Sequence, residues 1–178
     1  GENAPASPKA IMRPEMAISY KPLSKDADSG DGVSPDFLLI DELHRHASPE
    51  LAEVLIKSTA AKPDAIIIKT TTADYDRPSL CNREVAYARQ VCANQGDPNQ
   101  PGYDPAYLPV VYEITPKEYK EDQECWRKPE YWRKANPNID ISVNEEFYSR
   151  EAKKCGDDLT QLNNFLRLHL NIITDQSE

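Results

Sequence analysis

The chain has 178 residues, of which 39% are hydrophobic and 29% charged, enough for one domain with a real core or a domain plus a small appendage. Its net charge of −9 argues against a free-standing nucleic-acid surface, because neutralising phosphates takes clustered Lys and Arg. No stretch approaches the ~20 apolar residues of a membrane span, and Cys81, Cys92, Cys125 and Cys155 include no CxxC pair, which speaks against a zinc ribbon and for reduced thiols.

Gly1 opens a proline-rich run, GENAPASPKA, that reads as a cut or processed end, and residues 1–15 read as a flexible lead-in. Residues 16–23 (MAISYKPL) alternate loosely, as an edge strand does, with Pro22 near the end where a missing N–H costs least. In the polar loop 24–35, Asp26, Asp28 and Asp31 sit among glycines like a calcium loop. The twelfth position from Asp26 is Phe37 rather than a bidentate Glu, so the loop reads as solvated.

Four apolar residues, Phe37 to Ile40, then run into Asp41 and Glu42. A short unbroken apolar run suits a strand buried on both faces of a parallel sheet. Carboxylates at the end of such a strand stand where open α/β sheets bind ligands. This is the form of a Walker B strand, although strand ends also carry acids simply because they meet solvent. Ser48, Pro49 and Glu50 start a helix that runs to about Thr59 with Leu51, Val54 and Leu55 on one face. A second apolar strand, 65–69, ends in Thr70, Thr71 and Thr72. Strand, helix and strand within 35 residues predict a right-handed βαβ unit whose two strand ends share one rim.

Residues 80–94 read as a helix with Val85, Ala88 and Val91 inward, 94–105 as a turn-rich loop, and Tyr107–Ile114 as a third strand. Helices follow around 123–126, before Asn136, at 143–155 (capped near Ser142 or Asn144) and at 159–170. His44 and His46 lack the third partner of a zinc site and read as rim histidines bonding locally. Trp126 and Trp132, with Arg127, Lys128, Arg133 and Lys134, form a basic-aromatic cluster that suits either DNA or a helical pair burying indole against the sheet. The element order predicts an α/β fold: a parallel-sheet core over 16–115 with flanking helices, and a helical subregion over 116–178.

Several separate pieces resemble one family, the large terminase subunit of tailed bacteriophages. These are LLIDELHRHASPELAEVL with DGVSP before it, KTTTADYDRPSLC, YLPVVYEI, WRKANPNID and NNFLRLHLN, in family order from about residue 17 to residue 174. The resemblance implies an ASCE-type P-loop NTPase fold and a DNA-packaging ATPase using Mg²⁺ and ATP. It implies that Asp41 orders Mg²⁺ through water, Glu42 activates the attacking water, and Thr71 and Thr72 sense the γ-phosphate. It also implies a small terminase subunit, a portal protein, double-stranded DNA and other large subunits in a ring as partners, in the cytoplasm of a bacterial host.

Two departures stand out. Asp74 occupies a position where the family commonly has Gly, placing an extra acid near the γ-phosphate sensor. No GxxxxGK[ST] phosphate loop occurs in the 178 residues, and they do not include the nuclease-domain sequence that the resemblance implies after HLN. The chain is therefore expected to be the later part of the ATPase domain, inactive alone and binding no cofactor by itself. Without a phosphate-loop strand, the edge at Ile66 to Thr70 would be left unpaired, to be covered by dimerisation or by the N-terminal residues. A piece of a DExH-type helicase or other P-loop ATPase is one alternative reading. The other is a non-catalytic protein-interaction domain.

Overall fold

Two four-residue strands, β3 (Phe37–Ile40) and β4 (Ile66–Lys69), form the sheet on which the acidic and threonine segments end. Ile66 N–H donates to Asp36 O and Thr70 N–H to Ile40 O, each at 3.0 Å. Both partners advance in the same direction, so the pair is parallel. The computed structural model describes residues 10–23, 34–46, 48–156 and 158–175. The chain divides into two units, Gly1–Leu38 with Glu50–Ile66, and Leu39–Pro49 with Ile67–Glu178.

In the first unit, β1 (Ile11–Arg13) and β2 (Ile18–Tyr20) make an antiparallel hairpin around a 3-10 turn at Pro14–Met16. Ala17, at φ 53, closes that turn by donating its N–H to Pro14 O. The expected lead-in over 1–15 is corrected here: residues 11–15 belong to a strand and a turn, while 1–9 lie outside the described residues. So does nearly all of the aspartate-rich loop. Helix α1 (Glu50–Ser58) buries Ala52 and Leu55, whereas Val54, expected on the same inner face, is exposed. Ser34 Oγ donates to Ser58 O, and Lys62 pairs with Asp36 at 3.0 Å.

The second unit is mainly helical. Its helices are α2 (Leu80–Asn94), α3 (Pro116–Glu121), α4 (Pro129–Ala135), α5 (Glu145–Cys155) and α6 (Leu159–His169). Their caps follow from short polar side chains that satisfy the free N–H groups of a first turn. Ser79 accepts from Asn82 N–H, Asn144 from Glu146 N–H, and Asp158 from Thr160 and Gln161 N–H. Thr115 and Glu118 form a reciprocal capping box at α3. The expected helix around 123–126 is a 3-10 turn at Cys125–Arg127. Trp126, Trp132, Tyr148, Phe165, Leu166 and Leu170 form the centre of one apolar core. Trp132 Nε1 donates to Trp126 O at 2.7 Å, which satisfies a buried indole. Both indoles are therefore buried in the helical core, not against the sheet.

Two strand expectations are corrected. The β3 and β4 runs are not covered on both faces: Leu38 and Ile40 are buried, whereas Phe37, Leu39, Ile66 and Ile68 are 42–58% exposed. Side chains alternate along a strand, and only one face of this pair is covered among the described residues. Tyr107–Ile114 is extended with strand-like alternation but belongs to no ladder, and Leu108 is 88% exposed. Alternation sets which way side chains face, whereas a strand also needs a backbone partner.

Candidate functional site

Parallel pairing brings the carboxyl ends of β3 and β4 to one place, so Asp41 and Glu42 lie beside Thr70, Thr71 and Thr72. The two ends are tied: Leu43 N–H donates to Thr70 O at 3.0 Å. The Thr70 hydroxyl donates to Asp41 Oδ1, and Glu42 N–H reaches the same oxygen at 3.0 Å. Asp41 and Glu42 are both exposed.

Glu42 has left-handed backbone, φ 53 and ψ 48, a conformation that costs an ordinary L-residue roughly 1–2 kcal/mol. It turns the chain at once into a 3-10 turn, Leu43–Arg45, with Arg45 N–H on Glu42 O at 2.8 Å. Leu43 and His44 go inward on that turn. His44 donates its backbone N–H to Thr71 Oγ1 at 3.0 Å. Its ring Nδ1 lies 3.2 Å from Thr71 Oγ1 and 3.3 Å from Thr72 Oγ1, and its Nε2 lies 3.4 Å from Glu42 Oε2. Burial pushes the His44 pKa down; the Glu42 carboxylate opposes this and the Arg167 guanidinium adds to it. His46 Nε2 faces Asp41 O at 3.2 Å. His46 thus bonds locally, as expected, whereas His44 is buried and reaches across to the threonine segment; among the described residues no cluster of three metal-binding side chains occurs.

Thr71 and Thr72 are not free hydroxyls on an open rim. Thr71 donates to Thr72 O at 2.7 Å and sits 3.4 Å from Cys81 Sγ, a thiol whose pKa burial pushes up. Behind them the sequence expectation for Asp74 is overturned: its side chain is turned inward, 1% exposed, and held by Arg77. Burial pushes its pKa up, but hydrogen bonds from Arg77, Ser79 and the Tyr75 N–H outweigh that and hold the carboxyl below its ordinary value. Arg77 also donates to His44 O at 3.4 Å. The extra acid is a buried ion pair supporting the turn, not an additional charge at the rim.

Three residues have supporting roles that the sequence did not assign: Thr70, His44 as a bridge, and Asn171. Asn171, at φ 55, accepts from Ala73 N–H at 3.2 Å and donates to Tyr112 O at 2.9 Å. Beyond it Thr174 bridges to Tyr75, and Asp76 N–H donates to Thr174 O at 2.9 Å. Arg167, 8% exposed, lies over the Tyr75 ring with its Nε unpaired. The repeated T in TTT and the final N of HLN were the available signals. The basic-aromatic cluster, by contrast, is self-neutralised. Arg127 pairs with Glu124, Lys128 with Asp122, Arg133 with Asp140 and Glu145, and Lys134 with Glu118.

Residues 7–90 match the family model described as terminase large subunit, ATPase domain. Protein YmfN of Escherichia coli (strain K12) is 29% identical over 146 residues, covering 80% of this chain and 29% of that protein. The crystal structure of the HK97 bacteriophage large terminase superposes with a TM-score of 0.67 at 21% identity, over 88% of this chain and 30% of that one. The chain thus spans about three-tenths of the length of each relative, and it shares the α/β fold of the phage protein. Residues 7–90 thus resemble the ATPase domain of the terminase large subunit, and the fold of a phage large terminase is shared over most of the chain.

Proposed function

We propose that Asp41, Glu42, Thr71 and Thr72 form the metal- and water-directing half of an ATP-hydrolysis site in a viral DNA-packaging motor. The observation that carries this reading is the pairing of an exposed Asp-Glu step with a threonine segment at the same ends of two parallel strands, inside the stretch that matches the family. Asp41 keeps a carboxylate oxygen beyond those used by Thr70 and Glu42 N–H, which suits outer-sphere contact with Mg²⁺. When bound with ATP, Mg²⁺ would neutralise charge on the phosphates. Glu42 would accept a hydrogen bond from the attacking water and orient it. Thr72, and Thr71 after release of its internal bond, would present hydroxyls to the γ-phosphate.

The 178 residues contain no GxxxxGK[ST], so backbone amides and a lysine to cradle the β- and γ-phosphates must come from elsewhere. The chain alone is expected to show no ATPase above background, and Mg-ATP titration of it is expected to show no tight binding. Turnover by the chain that vanishes in Glu42→Gln would overturn the half-site reading and make it a complete enzyme. The small terminase subunit, portal, double-stranded DNA and a ring of large subunits are proposed as partners, in the cytoplasm of the host. Among the described residues no helix is long and apolar enough to cross a membrane.

β4 pairs with β3 alone among the described strands, and Ile66 and Ile68 are exposed. An unpaired edge templates strand addition, so a second copy joining at β4 is proposed for the isolated chain. Sedimentation giving only monomer across a concentration series would dispose of that dimer.

A further inference from the structure

We propose that His44 is a positioning residue that holds the Glu42 carboxylate in a direction set by the Thr72 hydroxyl. The proposal rests on the roles assigned above to Glu42 and Thr72. One hydrogen-bond assignment lets the ring engage Glu42 and Thr72 together. A carboxylate only accepts, so the imidazole nitrogen facing Glu42 Oε2, Nε2 at 3.4 Å, carries the ring hydrogen. Nδ1 is then an acceptor. Nδ1 lies 3.2 Å from Thr71 Oγ1 and 3.3 Å from Thr72 Oγ1; with the Thr71 hydrogen given to Thr72 O and its oxygen accepting from His44 N–H, the assignment makes the Thr72 hydroxyl the donor to Nδ1.

The ring is thereby fixed at both nitrogens. The groups around it are Glu42, Arg45, Asp74, Arg77 and Arg167; Arg77 holds its backbone carbonyl, and Asp74 is neutralised by Arg77. Glu42 is independently constrained by its left-handed backbone, so the direction of its side chain depends on few contacts, of which His44 is one. A phosphate that draws the Thr72 hydroxyl hydrogen away removes the donor from Nδ1 and frees the ring, and with it Glu42. His44 is in this way a mechanical link between the group that senses phosphate and the group that directs water.

The test is NMR on the 178-residue chain, reading the His44 ring ¹⁵N shifts and the Glu42 carboxyl ¹³C shift. The expected result is the Nε2–H tautomer, with both the Nδ1 and Glu42 carboxyl signals moving in Thr72→Val and returning in Thr72→Ser. His44→Gln is expected to move the Glu42 signal as well. An Nδ1–H tautomer, or a Glu42 signal unmoved by Thr72→Val, overturns the proposal; a residue that merely filled space would leave Glu42 unmoved. These shifts are read without nucleotide. Failure of the hydrolysis reading would therefore appear only in the turnover and titration experiments, with the ring shifts intact.

Discussion

The Thr70 hydroxyl donates to the Asp41 carboxylate across the parallel pair, so the first threonine of the run belongs to the acid and not to an incoming phosphate. A hydrogen bond to a charged group contributes about 1.5–3 kcal/mol where it is sheltered, and less where the acceptor is exposed as Asp41 is. Thr70→Val is expected to destabilise the chain by about 1 kcal/mol in urea unfolding, whereas Thr70→Ser stays within error of the parent. Equal losses in both variants would mean that the methyl group, and not the hydroxyl, is what matters.

Arg77 and Asp74 are unequal partners: the carboxylate is 2% exposed and the guanidinium 42%. Removing Arg77 strands a buried charge, while removing Asp74 leaves a cation that water can reach. Arg77→Ala is therefore expected to cost more than Asp74→Ala, by about 1–2 kcal/mol, in paired thermal melts. The reverse order would contradict the burial described.

His169 sits against Phe147, Tyr148 and Phe165, with ring centroids 5.1–5.6 Å away, and burial pushes its pKa below the ordinary value, with Glu151 opposing. His44 is shifted the same way. In both cases the unfolded chain binds the proton more readily, so stability is complete above the ordinary histidine value and falls as pH drops through about 6.5 and below. Melting temperature is expected to decline between pH 7.5 and pH 5.5, and the decline is expected to be smaller in His169→Leu. A flat profile in the parent chain would exclude both histidines as sources.

How much of this was legible in the sequence depends on the kind of contact. That Asp41, Glu42 and the threonines share a rim followed from strand, helix and strand within 35 residues, because the right-handed crossover leaves little choice. Their actual partners did not follow. Thr70 gripping Asp41, His44 reaching Glu42 and Asp74 turning in to Arg77 all depend on one left-handed turn at Glu42 and on rotamers, which no pattern of residue types specifies. Tyr107–Ile114 shows the opposite case, since its alternation was real and only its ladder was missing. Helix α3 starts at a Thr-Pro-x-Glu capping box at Thr115, a local signal legible from residue types alone.

Asn171 combines a left-handed backbone with two side-chain hydrogen bonds. Asn171→Gly keeps the backbone option and loses the bonds; Asn171→Ala loses both. The expected costs are about 1–2 kcal/mol for Gly and about 1 kcal/mol more for Ala. Amide hydrogen exchange at Ala73 is expected to accelerate in both variants. Unchanged exchange at Ala73 would show that its N–H is protected by something other than Asn171.

The same residue sets an order of events. Its two bonds close loops of 98 residues to Ala73 and 59 residues to Tyr112. Contacts so distant in sequence form late, after local helices have condensed. On a ribosome, the βαβ unit carrying Asp41 and Glu42 emerges roughly 100 residues before Asn171, which at ~5–20 residues per second is a delay of about 5–20 s. For that interval the acids and threonines exist without the strut that fixes the backbone of Ala73. The nascent chain thus presents its acid and threonine rim before that rim is rigid, and synthesis of the HLN segment is the step that sets it.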